Sequence, residues 1–291
     1  MSTELTILTI ITAVLVLVAA GVGFISHADP AAQFEFTSIR GEETHIAGDG
    51  IYRHDTVFFA SGFRGQDAVL LFLGVPLLLL ALWWAHHDSL AGQLLLLGIL
   101  AYILYVYASM ALGAAFNPLF LIYVAIFSAS LFAFILAFSS IDVTRIESAI
   151  RAGMSSRGLV VFMFLAGLVT LFVWGSPIVE AVIQSGAPER MDTYTTMVTY
   201  ALDLAIITPA TFLCAVLVLR GNSLGYLISV PLLAVVIMLT PQIVLSTLFQ
   251  RAAGVPFTAG EMIGPMAGFV ILGLWAAWLL FRTLQDLAQF A

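Results

Sequence analysis

The sequence predicts an all-α protein: a polytopic transmembrane helical bundle of about eight spans, with one amphipathic helix at the membrane interface. Three observations predict it. Hydrophobic residues make up 62% of the 291-residue chain and charged residues only 9%, whereas a soluble domain carries roughly a quarter charged. The apolar residues come in continuous Leu/Val/Ala/Phe runs. Such runs suit helices of about 20 apolar residues, and lack the short alternating segments of a membrane β-barrel. One segment, 139–157, breaks the pattern by spacing hydrophobic residues three and four apart among charges.

The first span is expected over 5–26. The preceding MSTEL has no positive charge, unlike the basic n-region of a cleavable signal, so the run is read as a retained helix. A polar stretch over 27–66 follows and reads as an external loop or lid. The second span, 67–85, ends in Trp83 and Trp84, which suit a membrane interface. His86, His87 and Asp88 turn the chain into a third span over 91–112, and the turn 113–118 leads to a fourth over 118–138.

In 139–157, Val143, Ile146 and Ile150 share a helical face, Glu147 and Arg151 form an i,i+4 pair, and Ser140 is the expected N-cap. We read this segment as a cytoplasmic amphipathic linker between spans one to four and five to eight. The remaining spans are expected over 158–183, 197–219, 224–248 and 262–282, the fifth bent near Pro177. A polar loop carrying Glu189, Arg190 and Asp192 separates the fifth from the sixth. The whole chain, 1–291, forms a single integral membrane domain.

Arginine placement sets the expected orientation. Arg145, Arg151, Arg157, Arg220 and Arg282 fall on one side; Arg40, Arg53, Arg64, Arg190 and Arg251 fall on the other. The first set lies in short connections, so that side is read as cytoplasmic, with both termini inside.

The densest chemistry lies in 51–67, IYRHDTVFFASGFRGQD. Tyr52, Arg53, Asp55, Arg64 and Asp67 are its candidate ligand-binding residues. Asn117, Asp203 and Gln242 join them from other connections and spans if one outward-facing polar cavity, roofed by the first loop, collects them. Ionisable groups within a membrane usually face an interior or a water-filled cavity. Asp203 needs a partner or a proton in an apolar span, and Arg64 or Arg53 is its expected ion-pair partner. A purely architectural reading stands beside this one: Asp67 as an acid favoured near a helix start, and Arg53 and Asp55 as loop ties.

Several chemistries drop out. The chain has no lysine, which excludes a Schiff base. Its one cysteine, Cys214, excludes internal disulfides and multi-cysteine metal sites. The histidines lack metal-ligand spacing, and no Walker, GxGxxG or GxSxG motif is present. No metal, catalytic residue, cofactor or nucleic-acid partner is expected; the expected partners are the lipid bilayer and other membrane subunits.

The motifs Tyr52-Arg53-His54-Asp55-Thr56 and Arg64-Gly65-Gln66-Asp67, with Tyr107 and Gly113-Ala114-Ala115-Phe116-Asn117, resemble a group of bacterial multi-pass membrane proteins with no established activity. The likeness covers about 51–142 and implies a bacterial inner membrane. Three function classes are carried forward. One is a protein that binds or transports a small solute or lipid headgroup. The second is a non-catalytic subunit of a membrane complex. The third, an enzyme acting on a lipid-linked substrate, lacks a recognisable nucleophile.

Overall fold

The computed structural model describes residues 1–154, 156–188 and 191–290; of 288–290 it describes the backbone alone. Ser155, Glu189 and Arg190 lie outside the described residues. The elements are α1 (Thr3–Ile25), a hairpin of β1 (Phe34–Thr37) and β2 (Glu43–Ile46), then α2 (Val57–Ala85), α3 (Leu90–Gly113), α4 (Phe120–Ser140), α5 (Val143–Arg151), α6 (Arg157–Ile183), α7 (Val198–Leu219), α8 (Ser223–Ala252) and α9 (Ala259–Phe290). All of these helices except α5 are long and apolar enough to cross a membrane. The protein is a multi-pass helical bundle, and α5 is the amphipathic exception.

The largest change from the sequence reading is at α2. Its helix starts at Val57, ten residues before the expected start at 67, so the first loop covers 26–56 and not 27–66. Thr56 caps the helix, its hydroxyl accepting from the Phe59 N–H. Arg64, Gln66 and Asp67 depress the local hydropathy and resemble loop residues in one dimension. In three dimensions Asp67 accepts from Tyr52 beside Gly23 of α1, Gln66 Oε1 accepts from Gln242 of α8, and Arg64 stands over the Phe249 ring of α8. Val57 to Phe59, which the sequence reading places within that loop, are thus the first turn of a helix.

Smaller corrections follow the same logic. Asp142, and not Ser140, caps α5, because its carboxylate accepts from the Thr144 N–H at 3.0 Å. Glu147 and Arg151 approach to 3.4 Å, as their spacing predicts. The first loop contains a β-hairpin with Phe34 opposite Ile46 and Thr37 opposite Glu43. The alternating FEFT and ETHI sequences suit it, with Gly41 taking the left-handed conformation its turn requires at φ 83°.

Two spans widen into π-helical turns just before a proline. In α2 the turn covers Leu70–Gly74 and precedes Pro76; in α7 it covers Asp203–Ile207 and precedes Pro209. Proline has no N–H and its ring clashes with the preceding turn. The wider turn keeps the adjacent backbone paired: the Val75 N–H bonds the Leu70 carbonyl, and the Thr208 N–H bonds that of Asp203.

The core lies around α3, most of which is buried, with α2 and α8 packed beside it. Contacts assign the connections to two ends of the bundle. At one end the Arg40 guanidinium donates to the Asp192 and Tyr194 carbonyls. Asp55 reaches both Ala115 and Tyr194 there. The first loop, the α3–α4 turn and the α6–α7 segment therefore share that end. At the opposite end Thr6 meets His86 at 3.3 Å, and α5 lies beneath α8 and α9.

The α2–α8 seam depends on Gly65. A Cβ there would lie 2.5 Å from both the Cα and N of Ser246, and backbone cannot yield as a flexible side chain does. Gly65→Ala is expected to force the helices apart and to destabilise the protein by about 1–3 kcal/mol. Thermal unfolding of the detergent-solubilised chain checks this, with Gly175→Ala as the control. Nothing lies within 4 Å of a Cβ at Gly175.

Candidate functional site

The sequence gathers its candidate residues in one outward cavity. The structure divides them among four places.

The first is a buried hydrogen bond at the junction of the first loop and α2. The Tyr52 hydroxyl donates to Asp67 Oδ2 at 2.6 Å, with both residues almost fully buried. Burial, followed by the neighbouring Asp67 carboxylate, holds the Tyr52 phenol far above its ordinary range, so it remains a donor. Gly23 on α1 makes room for the pair. A Cβ there would sit 2.0 Å from Asp67 Oδ2 and 2.5 Å from the Tyr52 oxygen.

Arg64 lies one helical turn from Asp67, towards the first loop. It lines a cavity of about 350 Å³ with Tyr52, Ser61, Gly50, Phe249, the exposed Asp49 and other residues of the loop and helix ends. The Arg64 guanidinium carbon stands 5.3 Å from the centre of the Phe249 ring, a cation–π distance. Its Nε is buried and has no hydrogen-bond partner. Among the described residues, no carboxylate makes an ion pair with Arg64 within 4.0 Å.

The second place is deeper. The Tyr102 hydroxyl donates to Gln242 Oε1 at 2.7 Å, and Gln242 Nε2 donates to Gln66 Oε1 at 3.0 Å. This chain ties α3, α8 and α2 together beside Pro241. Gln242 is therefore a bundle tie and does not line the cavity. Nearer the same end, Ser246 Oγ donates to the Gly62 carbonyl at 2.7 Å, extending the α2–α8 seam.

The third place is a latch. Asp55 is wholly buried, and its Oδ1 accepts from the Ala115 N–H at 2.8 Å and the Tyr194 hydroxyl at 2.7 Å. One carboxylate thus joins three connections. Asn117 shapes the adjoining turn, its Oδ1 accepting from the Leu119 N–H at 2.9 Å. Arg53 is exposed and donates to its neighbour His54 at 3.1 Å, so it lies outside this arrangement.

Asp203 is the fourth. Its expected pairing with Arg64 or Arg53 is not formed: among the described residues no ion pair includes Asp203. Tyr105 of α3 and Trp174 of α6 stand close to its carboxylate instead. The reason is azimuthal. Arg64 is on the α2 face turned towards the first loop and Phe249, whereas Asp203 faces α3 and α6. Sequence reasoning missed Gly23, Trp174 and Tyr194. Only Trp174, a large amphipathic side chain within a span, carries a local signal.

Searches with this chain found no matching family model, curated protein or solved structure.

Asp55 makes the latch sensitive to pH. Burial pushes its carboxyl up from 3.8 to about 6, against the opposing bonds from Ala115 and Tyr194. The closed latch then binds a proton more tightly than the open one. Closure is strongest below the ordinary carboxyl value and weakens as pH rises from about 4 through about 6. Hydrogen exchange at the Ala115 amide, corrected for intrinsic rates, should show more opening across that interval. Asp55→Asn, which mimics the protonated carboxyl, should flatten the response; an unchanged slope would assign it to another group.

Proposed function

We propose that this membrane protein binds a small anionic group, a carboxylate or a phosphate, in the cavity beneath its first loop. The observation that carries the reading is Arg64. Its guanidinium lines a cavity of about 350 Å³ with Nε buried and unpartnered. The nearest acid, Asp67, is committed to Tyr52. A guanidinium left without a carboxylate offers planar donors suited to an oxyanion. The volume accommodates a small solute or a headgroup.

The cavity faces outward in this reading, in a bacterial inner membrane with both termini inside. Arg145, Arg151, Arg157 and Arg220 lie in or beside the short connections of the opposite end, where the positive-inside rule places the cytoplasm. With Cys214 replaced by Ser, a membrane-impermeant thiol reagent applied to intact cells should label His45→Cys and spare Ser148→Cys. The reverse pattern would invert the topology.

Calorimetric titration of the maltoside-solubilised chain with inorganic phosphate and with butyrate tests the binding reading. Arg64→Gln should weaken binding by about tenfold or more, the scale of one charge-assisted bond. Exposed Arg53→Gln should change it little. If neither anion binds in an Arg64-dependent way, the reading fails.

A second reading, a subunit of a membrane complex, rests on a different feature. Gly260, Gly264 and Gly268 recur at four-residue spacing on α9, with nothing within 4 Å of their Cβ positions. Small residues at this spacing permit close helix–helix approach in membranes. Purification in mild detergent, followed by mass measurement of the intact particle, distinguishes a lone chain from an assembly.

A further inference from the structure

The opposite face of the first turns of α2 borders a second cavity with a different, mainly aromatic lining. It measures about 240 Å³ and lies between α2, α3, α6, the segment leading into α7 and the start of α7. Aromatic side chains dominate its lining: Phe58, Phe59, Phe63, Trp174, Tyr194 and Tyr200. They include two close pairs. Trp174 and Tyr200 have ring centres 4.3 Å apart, and Phe59 and Tyr194 have theirs 4.6 Å apart. No basic side chain occurs among the described lining residues.

Each pair is backed by a buried carboxylate. Tyr194 donates its hydroxyl to Asp55 at 2.7 Å, and Trp174 stands close to Asp203. Neither acid makes an ion pair among the described residues. A ring that donates its polar hydrogen to a carboxylate becomes more electron-rich, because linked hydrogen bonds polarise one another. The aromatic face already carries the negative lobe of its quadrupole, which attracts cations. One polarised ring, with a buried carboxylate behind each pair, therefore creates a site that favours positive charge and offers little strong hydrogen bonding.

We infer that this aromatic cavity binds an organic ammonium group, quaternary or alkylated, of roughly headgroup size. A weakly hydrated ammonium is desolvated at lower cost than a compact metal ion and makes its contacts through ring faces. The cavity is too small for a whole lipid but accommodates a trimethylammonium group. That group can arrive free in solution or on a lipid. Thr196, exposed at the edge of the cavity, lies on the side from which either would enter.

The test uses the full chain in maltoside, titrated calorimetrically with choline and with 3,3-dimethylbutan-1-ol, its uncharged isostere. Choline should bind and the isostere should bind about tenfold more weakly or worse, the scale of a desolvated cation–π contact. Trp174→Leu should weaken choline binding by a similar factor, and Trp174→Phe by less, because a ring remains. Tyr200→Leu provides a second route if Trp174→Leu does not fold, as judged by gel filtration and circular dichroism. Asp203→Asn should weaken binding several-fold without altering the preference for alkylammonium over metal ions.

Nanodiscs distinguish the sources. If choline binds in detergent, a soluble ligand suffices. If only phosphatidylcholine discs, compared with phosphatidylglycerol discs, perturb fluorescence in a Trp174-dependent way, the ammonium is a lipid headgroup. Equal affinity for choline and its isostere would overturn the inference. So would the absence of any response to both choline and phosphatidylcholine.

Discussion

The hydrogen bond between Tyr52 and Asp67 is the constraint on which this end of the bundle depends. A carboxyl group deep among helices must have a partner, since an unpaired polar group in an apolar environment costs several kcal/mol. Tyr52 supplies that partner from the first loop, and Gly23 leaves the space in which the two meet. The loop is thus joined to the interior of the bundle instead of lying over it. Its position fixes where Asp55 can reach across to Ala115 and Tyr194. The cavity beside Arg64 exists because the loop is held at this depth.

Around that anchor, α2 separates two cavities of different lining. Val57, Ala60, Ser61 and Arg64 face the cavity under the first loop, while Phe58, Phe59 and Phe63 face the aromatic cavity. A helix advances about 100° per residue, so two turns suffice to direct a guanidinium one way and three rings the other. Each acid is spent in its own neighbourhood: Asp67 on Tyr52, Asp55 on the latch, Asp203 on Tyr105 and Trp174. No single polar chamber results. The separation follows from the bilayer, where each polar group must find its partner within the protein.

Much of the architecture could be read in one dimension. The long apolar runs marked the spans, and the three- and four-residue spacing of Val143, Ile146 and Ile150 marked the surface helix. The pair Glu147–Arg151 formed as its spacing demanded. The reading failed where a helix carried polar residues into the bundle. Arg64, Gln66 and Asp67 looked like a loop because hydropathy measures transfer from water to lipid, and these residues are buried in protein. It failed again at Asp203, where charge alone suggested an arginine and the fold supplied a tyrosine and a tryptophan.

The difference lies in the range of the forces. Bilayer thickness and the need to satisfy every backbone group act locally along the chain, so composition and periodicity were enough to establish an all-α bundle of long apolar helices. The polar partners are separated by 15 residues for Tyr52 and Asp67, 139 for Asp55 and Tyr194, and 176 for Gln66 and Gln242. Whether such residues meet depends on the rotation of each helix about its axis and on which helix stands beside it. Those quantities follow from close packing at positions such as Gly23 and Gly65, where a single methyl group would not fit. Packing of this kind is collective, so no local stretch of the sequence encodes it, and the sites emerge only when the helices are assembled.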